Sequence, residues 1–178
     1  NVSFVGKYTE LKDSYKSINE ALEHAGIQNK AKVNINFVEG EEITPKNVKK
    51  ILKNSDAVLV PGGFGERGIE GMITACKHAR ENDIPYLGIC LGMQVAIIEY
   101  ARNILKLKSA NSTEFNLETK FPVIGLITEW SDISGKQEKR NINSDLGGTM
   151  RLGGQVCKLK RGSNSFKMYK NIKIVERH

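Results

Sequence analysis

The sequence has little of what several common classes of protein need. It contains only three cysteines and three histidines in 178 residues, and no C-x-x-C pair. An odd number of scattered cysteines argues against a disulfide scaffold or a structural zinc site, and favours a reducing compartment such as the cytoplasm. No apolar run reaches the roughly 18–20 residues that a membrane-spanning helix requires. We therefore expect no membrane partner and no bound metal.

The N-terminus also lacks the features of a secretion signal. Asn1–Gly6 has no basic region and only a short apolar core. There is no initiating Met, so we expect a segment of a longer chain. With a hydrophobic fraction of 39%, the length suits one domain. We predict a single domain over residues 1–178, incomplete at its C-terminus, with a core over about 1–130 and basic hairpins and loops over about 131–178.

Positive charge is concentrated near the C-terminus. The chain carries 27 basic and 20 acidic residues. Residues 1–135 include 16 basic and 17 acidic residues, whereas residues 136–178 include 11 basic and only 3 acidic residues. A basic protein can bind nucleic acid, yet the nearly neutral core suits a small zwitterion better. We expect no nucleic-acid partner. Lys158, Lys160 and Arg161 are interpreted as part of a solvated face or of a surface toward another domain.

Strand-like and helix-like segments alternate over the first 130 residues. The predicted strands are Asn1–Gly6, Lys32–Glu39, Ala57–Val60, Ile84–Ile89 and Val123–Thr128, and the predicted helices are Ser14–Ala25, Thr44–Lys53, Ile69–Glu81 and Leu91–Ala101. This alternation predicts an α/β fold, an open and mostly parallel sheet with helices on both faces. In such sheets ligands bind beyond the carboxyl ends of the strands.

A glycine cluster follows the third predicted strand. Residues 63–68, Gly-Phe-Gly-Glu-Arg-Gly, match the dinucleotide-binding pattern G-x-G-x-x-G. A ribose-binding acid should then end the next strand, whereas Asp83 lies before that strand. We therefore set the dinucleotide interpretation aside. Two others stay open: a turn without chemistry, or a loop whose amides approach a ligand or a developing oxyanion.

The most informative segment surrounds Cys90. Gly88-Ile89-Cys90-Leu91-Gly92 has the pattern of a nucleophile elbow with Cys in place of Ser. A sulfur at a helix N-terminus lies at the positive end of the helix dipole, which stabilises a thiolate. The Leu91 N–H would donate to a tetrahedral oxyanion. A free Cys is often only a small buried hydrophobe, and we interpret Cys76 and Cys157 in that way. The flanking glycines favour catalysis by Cys90.

A catalytic thiol usually needs a base, and the sequence offers no convincing one. His24 and His78 lie on predicted helices beside charged residues, so we interpret both as solvated. His178 is the last residue. Either the base lies beyond residue 178, or the elbow does not form a working dyad.

Five segments together carry a family resemblance. They are Pro61–Gly65, Gly88–Gln94, Asn111–Phe115, Ser144–Gly153 and Val175–His178. The chain resembles, through essentially all of its length, the glutaminase domain of the CTP synthase family, a class I glutamine amidotransferase. The elbow alone indicates the class I amidotransferase superfamily. The Ser-Thr-Glu-Phe and Ser-Asp-Leu-Gly-Gly-Thr-Met-Arg segments narrow the resemblance to the CTP synthase family. It implies a flavodoxin-like class I amidotransferase fold.

The resemblance also implies a mechanism and a set of site residues. Cys90 would attack the side-chain amide of L-glutamine, release ammonia and leave a glutamyl thioester that water hydrolyses. The backbone N–H groups of Gly63 and Leu91 would form the oxyanion hole. The residues implied to bind glutamine are Gly63, Phe64, Leu91, Gly92, Met93, Gln94 and Glu114. Among these, Phe64 would line the pocket and Glu114 would face the α-ammonium group.

In that family the ammonia serves the ATP-dependent amination of UTP to CTP in an N-terminal synthetase domain, which is not in this sequence. The resemblance places ATP and Mg²⁺ in that domain, implies no cofactor in this one, and implies a cytoplasmic homotetramer. The family's catalytic His and Glu lie in a His-Pro-Glu segment, which is absent here. His178 belongs to the preceding stretch and is not that base. We expect the chain as given to hydrolyse glutamine poorly by itself.

Two alternatives stay open. One is a non-catalytic amidotransferase-like scaffold or regulatory module, against which the retained Cys90 argues. The other is an elbow-cysteine hydrolase that acts on a different amide or γ-glutamyl bond. Labelling of Cys90 by a glutamine-derived electrophile would distinguish the first alternative from an enzyme.

Overall fold

The computed structural model describes residues 1–9, 12–125, 129–131, 137–139 and 153–177. The chain divides into two compact units, Asn1–Ile127 and Thr128–His178. All predicted site residues belong to the first unit. The single domain over residues 1–178 stays a prediction.

The first unit contains six strands and four helices among its described residues. The strands are β1 Val2–Gly6, β2 Ile35–Glu39, β3 Ala57–Val60, β4 Tyr86–Gly88, β5 Ala110–Ser112 and β6 Phe121–Ile124. The helices are α1 Lys16–Gln28, α2 Val48–Ile51, α3 Ile69–Glu81 and α4 Leu91–Asn103, and 3₁₀ turns cover Lys12–Tyr15 and Gly40–Glu42.

Four parallel strands form the main sheet, in the order β2-β1-β3-β4. Strands β5 and β6 form a separate parallel pair. The predicted α/β class, an open parallel sheet flanked by helices, is confirmed. Because the four strands are parallel, the residues that follow β1, β3 and β4 emerge at the same edge of the sheet.

Both faces of the central strands are covered, which explains why β3 is a continuous apolar run. Val5 and Val60 lie on one face, in a buried cluster with Val95 and Ile98 of α4 and with residues of α3. Phe4 lies on the other face. Its ring centroid is 4.7 Å from that of Tyr15 and 5.1 Å from that of Phe37.

The predicted helix Thr44–Lys53 was wrong in its extent, because α2 covers only Val48–Ile51. Residues 44–47 form a turn instead, in which the Asn47 N–H donates to the Thr44 carbonyl at 3.2 Å. The Asn47 side chain also accepts a hydrogen bond from the Thr44 N–H at 2.7 Å. The first helix, by contrast, is longer than predicted and ends at Gln28. It closes where Asn29 donates its backbone and side-chain N–H groups to the Ala25 carbonyl.

Two strand predictions also need correction. The segment Ile84–Ile89 was predicted as a buried strand, but β4 has three residues, pairs only with β3 among the described strands, and leaves Leu87 55% exposed. Its apolar composition reflects packing on one face only. The predicted strand Val123–Thr128 is observed as β6, which begins and ends earlier, and residues 126–128 lie outside the described ranges.

The second unit contains short antiparallel pairs. Its elements are β7 Glu129–Ser131, β8 Gln137–Lys139, β9 Gly154–Lys158, α5 Asn164–Tyr169 and β10 Lys173–Arg177. Strand β7 pairs with β8, and β9 pairs with β10. A helix between β9 and β10 was not predicted. It begins after Ser163, whose Oγ accepts the Phe166 N–H as an N-cap. Lys158, Lys160 and Arg161 are exposed within this unit.

Within the described ranges, no helix has the length and apolar character needed to cross a membrane.

An ion pair joins α3 to α4. The Arg80 guanidinium donates to both carboxylate oxygens of Glu99, with Nε to Oε2 at 3.0 Å and Nη2 to Oε1 at 2.8 Å. Glu99 is only 1% exposed. A carboxylate buried to this degree requires a charged partner, because its loss of hydration is otherwise uncompensated.

We predict that Arg80→Met lowers the free energy of unfolding by about 2–3 kcal/mol, because it leaves Glu99 without its partner. The control is Lys77→Met on the same helix, whose ammonium lies 3.9 Å from Glu81 and whose side chain is 44% exposed. That change should cost less than about 0.5 kcal/mol. Urea unfolding followed by circular dichroism measures both, and equal losses would contradict the prediction.

Candidate active site

The loops that follow β3 and β4 meet at the carboxyl edge of the sheet. A Cβ built on Gly62 would lie 3.5 Å from the Cys90 Cβ, and one built on Gly63 would lie 3.2 Å from Leu91 Cδ2. The Ile89 N–H donates to the Val60 carbonyl at 2.9 Å and ties the two loops together. The structure therefore brings the predicted nucleophile and the two predicted oxyanion donors to one place.

Cys90 occupies an elbow between strand and helix. Its φ is 52° and its ψ is −103°, in the left-handed region that costs a non-glycine residue energy. Strand β4 ends two residues earlier, and α4 begins at the next residue. Cys90 is exposed. The thiol is thus presented at a helix N-terminus, as in the predicted nucleophile elbow.

Two glycines make this elbow possible. A Cβ on Gly88 would lie 2.4 Å from the Gly92 carbonyl carbon and oxygen, and a Cβ on Gly92 would lie 2.1 Å from the Val60 carbonyl oxygen. Both contacts are with backbone atoms, which a side chain cannot displace cheaply. The first turn of α4 can pack this closely on β3 and β4 only because neither residue has a side chain.

The Tyr86 side chain binds the first turn of α4. Its hydroxyl donates to the Gly92 carbonyl at 2.8 Å. Burial raises the pKa of the Tyr86 phenol, and the Cys76 thiol is among its neighbours. Nothing in the sequence pattern pointed to Tyr86. The available signal was its position two residues before Gly88, which places both residues on the same face of β4.

The loop after β3 is held by side chains from neighbouring strand ends. Arg67 donates from Nε to Glu41 at 2.7 Å, and its guanidinium lies 4.3 Å from the Tyr8 ring centroid. Gly65 has a φ of 75°, which a glycine adopts without strain. These contacts hold the loop in place, and the interpretation that its amides approach a ligand or a developing oxyanion stays a prediction.

Amide groups at this edge can stabilise a developing negative charge. Leu91 is the first residue of α4, and the first N–H groups of a helix have no intrahelical partner. Gly63, in the loop after β3, lies next to the Leu91 side chain. A carbonyl bound at the Cys90 sulfur would find such donors nearby. The assignment of Gly63 and Leu91 as the donors stays a prediction.

Glu114 reaches the same loop from the turn after β5. Its Oε1 accepts the Gly65 N–H at 2.7 Å. Its own N–H donates to Ser112 Oγ at 3.1 Å, and Ser112 is 2% exposed. A turn anchored on the buried Ser112 therefore holds the carboxylate beside Gly65, where it can meet an ammonium group.

Gln94 carries a polar atom that needs a partner. Its Oε1 is buried and has no hydrogen-bond partner in the described part of the protein. Buried carbonyl oxygens are nearly always paired in native structures, so this one fits a donor on a bound ligand. Phe64 is 79% exposed and Met93 is 54% exposed, so both apolar side chains are free to contact a ligand. The predicted roles of Phe64, Gly92, Met93 and Gln94 in binding glutamine stay predictions.

The described histidines have other surroundings. His24 is exposed on α1, and His78 Nδ1 lies 3.2 Å from the Asn82 amide nitrogen. Neither ring forms a hydrogen bond with Cys90. His178 and residues 144–152 of the resemblance lie outside the described ranges. Over those ranges, no group of three or more His, Cys, Asp or Glu side chains could hold a metal ion.

We predict that Gly92→Ala disrupts the elbow, because the new methyl group would overlap the Val60 carbonyl. The expected loss of stability is roughly 1–3 kcal/mol, in the range of overpacking substitutions. The matched control is Gly125→Ala, where a Cβ would meet nothing within 4 Å. Thermal unfolding compares the two, and equal stability of both variants would contradict the close packing.

The two cysteines of the first unit should differ in reactivity. Cys76 is 5% exposed, and burial raises the pKa of its thiol to about 12. Because only the thiolate is alkylated, Cys76 should stay unmodified by iodoacetamide from pH 7 to 9 while the exposed Cys90 reacts. Peptide mass spectrometry identifies the modified residues. Denatured protein, in which all three cysteines react, is the control, and alkylation of native Cys76 at the rate of Cys90 would contradict this view.

Known proteins share both the sequence pattern and the fold. The sequence model of the family described as glutamine amidotransferase class I matches residues 10–176. Among solved structures, the chain is similar to the glutaminase domain of Trypanosoma brucei CTPS with bound acivicin, with 38% sequence identity and a TM-score of 0.83. The similarity covers 99% of this chain and 65% of that one. The chain therefore belongs to the class I glutamine amidotransferase family.

Proposed function

We propose that this chain is the glutaminase domain of a CTP synthase and hydrolyses L-glutamine through Cys90. The observation that carries the proposal is the exposed thiol at the elbow, beside backbone amides of two loops. The similarity to the trypanosomal glutaminase domain supports the choice of glutamine among amide substrates.

The reaction follows from this arrangement. The Cys90 thiolate attacks the carbonyl carbon of the glutamine side-chain amide, and the resulting oxyanion accepts hydrogen bonds from Gly63 and Leu91. When the C–N bond breaks, the nitrogen takes up a proton and leaves as ammonia. Water then hydrolyses the thioester to glutamate and restores the thiol. In the family a histidine transfers these protons, and a glutamate holds the imidazole in the orientation that this requires.

Recognition of the amino acid uses the polar groups around the elbow. The Glu114 carboxylate pairs with the α-ammonium group. Gln94, whose Oε1 has no hydrogen-bond partner among the described residues, accepts a hydrogen bond from the substrate. Phe64 and Met93 cover the methylene groups. These contacts fit a small zwitterion with one hydrogen-bonding side chain.

The wider context belongs to the same proposal. Ammonia made here would aminate UTP in a synthetase domain that binds ATP and Mg²⁺, within a homo-oligomer such as a tetramer. A cytoplasmic location suits the cysteines, since Cys76, Cys90 and Cys157 are all free thiols.

The decisive experiment compares nitrogen sources in the full-length protein that carries this sequence. Cys90→Ala should reduce glutamine-dependent CTP formation by at least about 1,000-fold, because the nucleophile is lost. CTP formation from UTP, ATP and ammonium chloride should persist. Cys157→Ala, in the second unit, is the control and should retain both activities.

Labelling identifies the residue directly. The glutamine analogue 6-diazo-5-oxo-norleucine should add to Cys90, and the adduct should be absent from Cys90→Ala. Absence of both adduct and ammonia release in the full-length protein would favour a non-catalytic module. Hydrolysis of γ-glutamyl amides other than glutamine, without CTP formation, would favour an elbow-cysteine hydrolase with a different substrate.

A further inference from the structure

One peptide group in the loop after β3 is held at both ends. The carbonyl of the Phe64–Gly65 peptide accepts a hydrogen bond from Lys7 Nζ at 2.8 Å. The N–H of the same peptide donates to Glu114 Oε1 at 2.7 Å. A cation thus lies at the negative end of the peptide dipole and an anion at its positive end. Both hydrogen bonds are charge-assisted, which makes them stronger than neutral ones.

Lys7 is placed unusually for a lysine. It follows β1 directly, and the residue is only 6% exposed. Lysines are rarely buried to this degree without a partner. Here Nζ also donates to the Gly65 carbonyl, so two consecutive loop carbonyls bind it. Burial lowers the pKa of Lys7, while the nearby Glu114 carboxylate raises it and Arg67 lowers it.

The clamped peptide is close in sequence to the predicted oxyanion donor. The Gly63 N–H belongs to the 62–63 peptide, and four backbone dihedral angles, φ and ψ of Gly63 and of Phe64, separate it from the 64–65 peptide. Holding the 64–65 peptide in place therefore narrows the set of directions in which the Gly63 N–H can point. Gly65 has a φ of 75°, and Phe64 and Gly65 are both exposed. A glycine-containing, exposed loop has several accessible conformations, and unordered donors do not stabilise a transition state well.

We propose that Lys7 is a positioning residue for the oxyanion hole. Together with Glu114 it clamps the 64–65 peptide, and the clamp holds the Gly63 amide toward the reacting carbonyl. This inference rests on the proposed glutaminase function. It also gives Glu114 a second task, because the carboxylate that meets the substrate ammonium group also holds the loop.

The test compares Lys7→Met with Lys49→Met in the full-length protein. Lys49 is exposed on α2, so its substitution removes the same groups without touching the loop. Lys7→Met should lower kcat of glutamine hydrolysis roughly 10- to 100-fold and change KM less than about 3-fold, because the oxyanion exists only in the transition state. Lys7→Arg keeps a charged donor and should recover part of kcat. Lys49→Met should match the unmodified protein.

A count of reactive sites distinguishes the positioning role from a purely structural one. The number of 6-diazo-5-oxo-norleucine adducts per chain at the end of labelling gives the fraction of chains with an intact site, and kcat is divided by that number. If Lys7→Met reduced only the number of labelled sites, with normal kcat per site, the positioning role would be overturned. A rise in KM with unchanged kcat would also overturn it, because it would make Lys7 a ground-state binding residue.

Hydrogen exchange tests the clamp independently of glutamine chemistry. Amides of residues 62–68 should exchange faster in Lys7→Met than in Lys49→Met, measured by mass spectrometry. Unchanged exchange would overturn the clamp, even where kcat falls. If the unmodified protein releases no ammonia from glutamine, the proposed function fails, whereas the exchange comparison still decides whether Lys7 holds the loop.

Discussion

The arrangement of the site depends on one close approach, that of the first turn of α4 to the ends of β3 and β4. Gly92 lies against the Val60 carbonyl, and Gly88 lies against the Gly92 carbonyl. This packing forces the chain to turn sharply at Cys90, which takes up a positive φ. It also places the amides that begin α4 beside the loop after β3. A looser junction would leave the thiol and its donors on elements free to move apart.

Charged side chains add a second level of constraint. The loop after β3 contacts residues that follow three strands: Lys7 and Glu114 bind the 64–65 peptide, and Glu41 binds the Arg67 side chain. A loop rich in glycine has little intrinsic preference for one conformation. Its order therefore comes from outside, through hydrogen bonds to residues distant in sequence. The conformation of the loop after β3 thus depends on residues at the edge of the sheet rather than on its own sequence.

Local patterns were sufficient to predict the elements that have strong local signals. Helix α3 begins and ends where predicted, and β3 was recognised from its apolar run before Pro61. The elbow was visible because its two glycines are adjacent to the cysteine in sequence. Helix α2 was overestimated because residues 44–47 form a turn closed by the Thr44 carbonyl, and the regular helix that follows covers only four residues, a difference that periodicity does not reveal.

The supporting residues of the site could not be predicted for a related reason. Lys7 and Tyr86 act through partners that are remote in sequence or on a neighbouring element, and their residue types are common on strand ends and in strands. Glu114 was identified only through the family resemblance, since a lone acid in a loop is ordinarily solvated. What the sequence did indicate, through alternation of strands and helices, was the sheet edge at which these residues meet.

The contacts of the loop after β3 also bear on the order in which parts of the candidate site form during synthesis of the chain. Lys7 and Glu114 meet the same peptide from positions 57 residues before Phe64 and 49 residues after Gly65. A chain emerging from the ribosome can therefore fold β1, β3 and the elbow well before Glu114 is available. Contacts of such long range form late in folding. Biosynthesis would thus produce the elbow with its exposed Cys90 first and the ordered loop after β3 only afterwards.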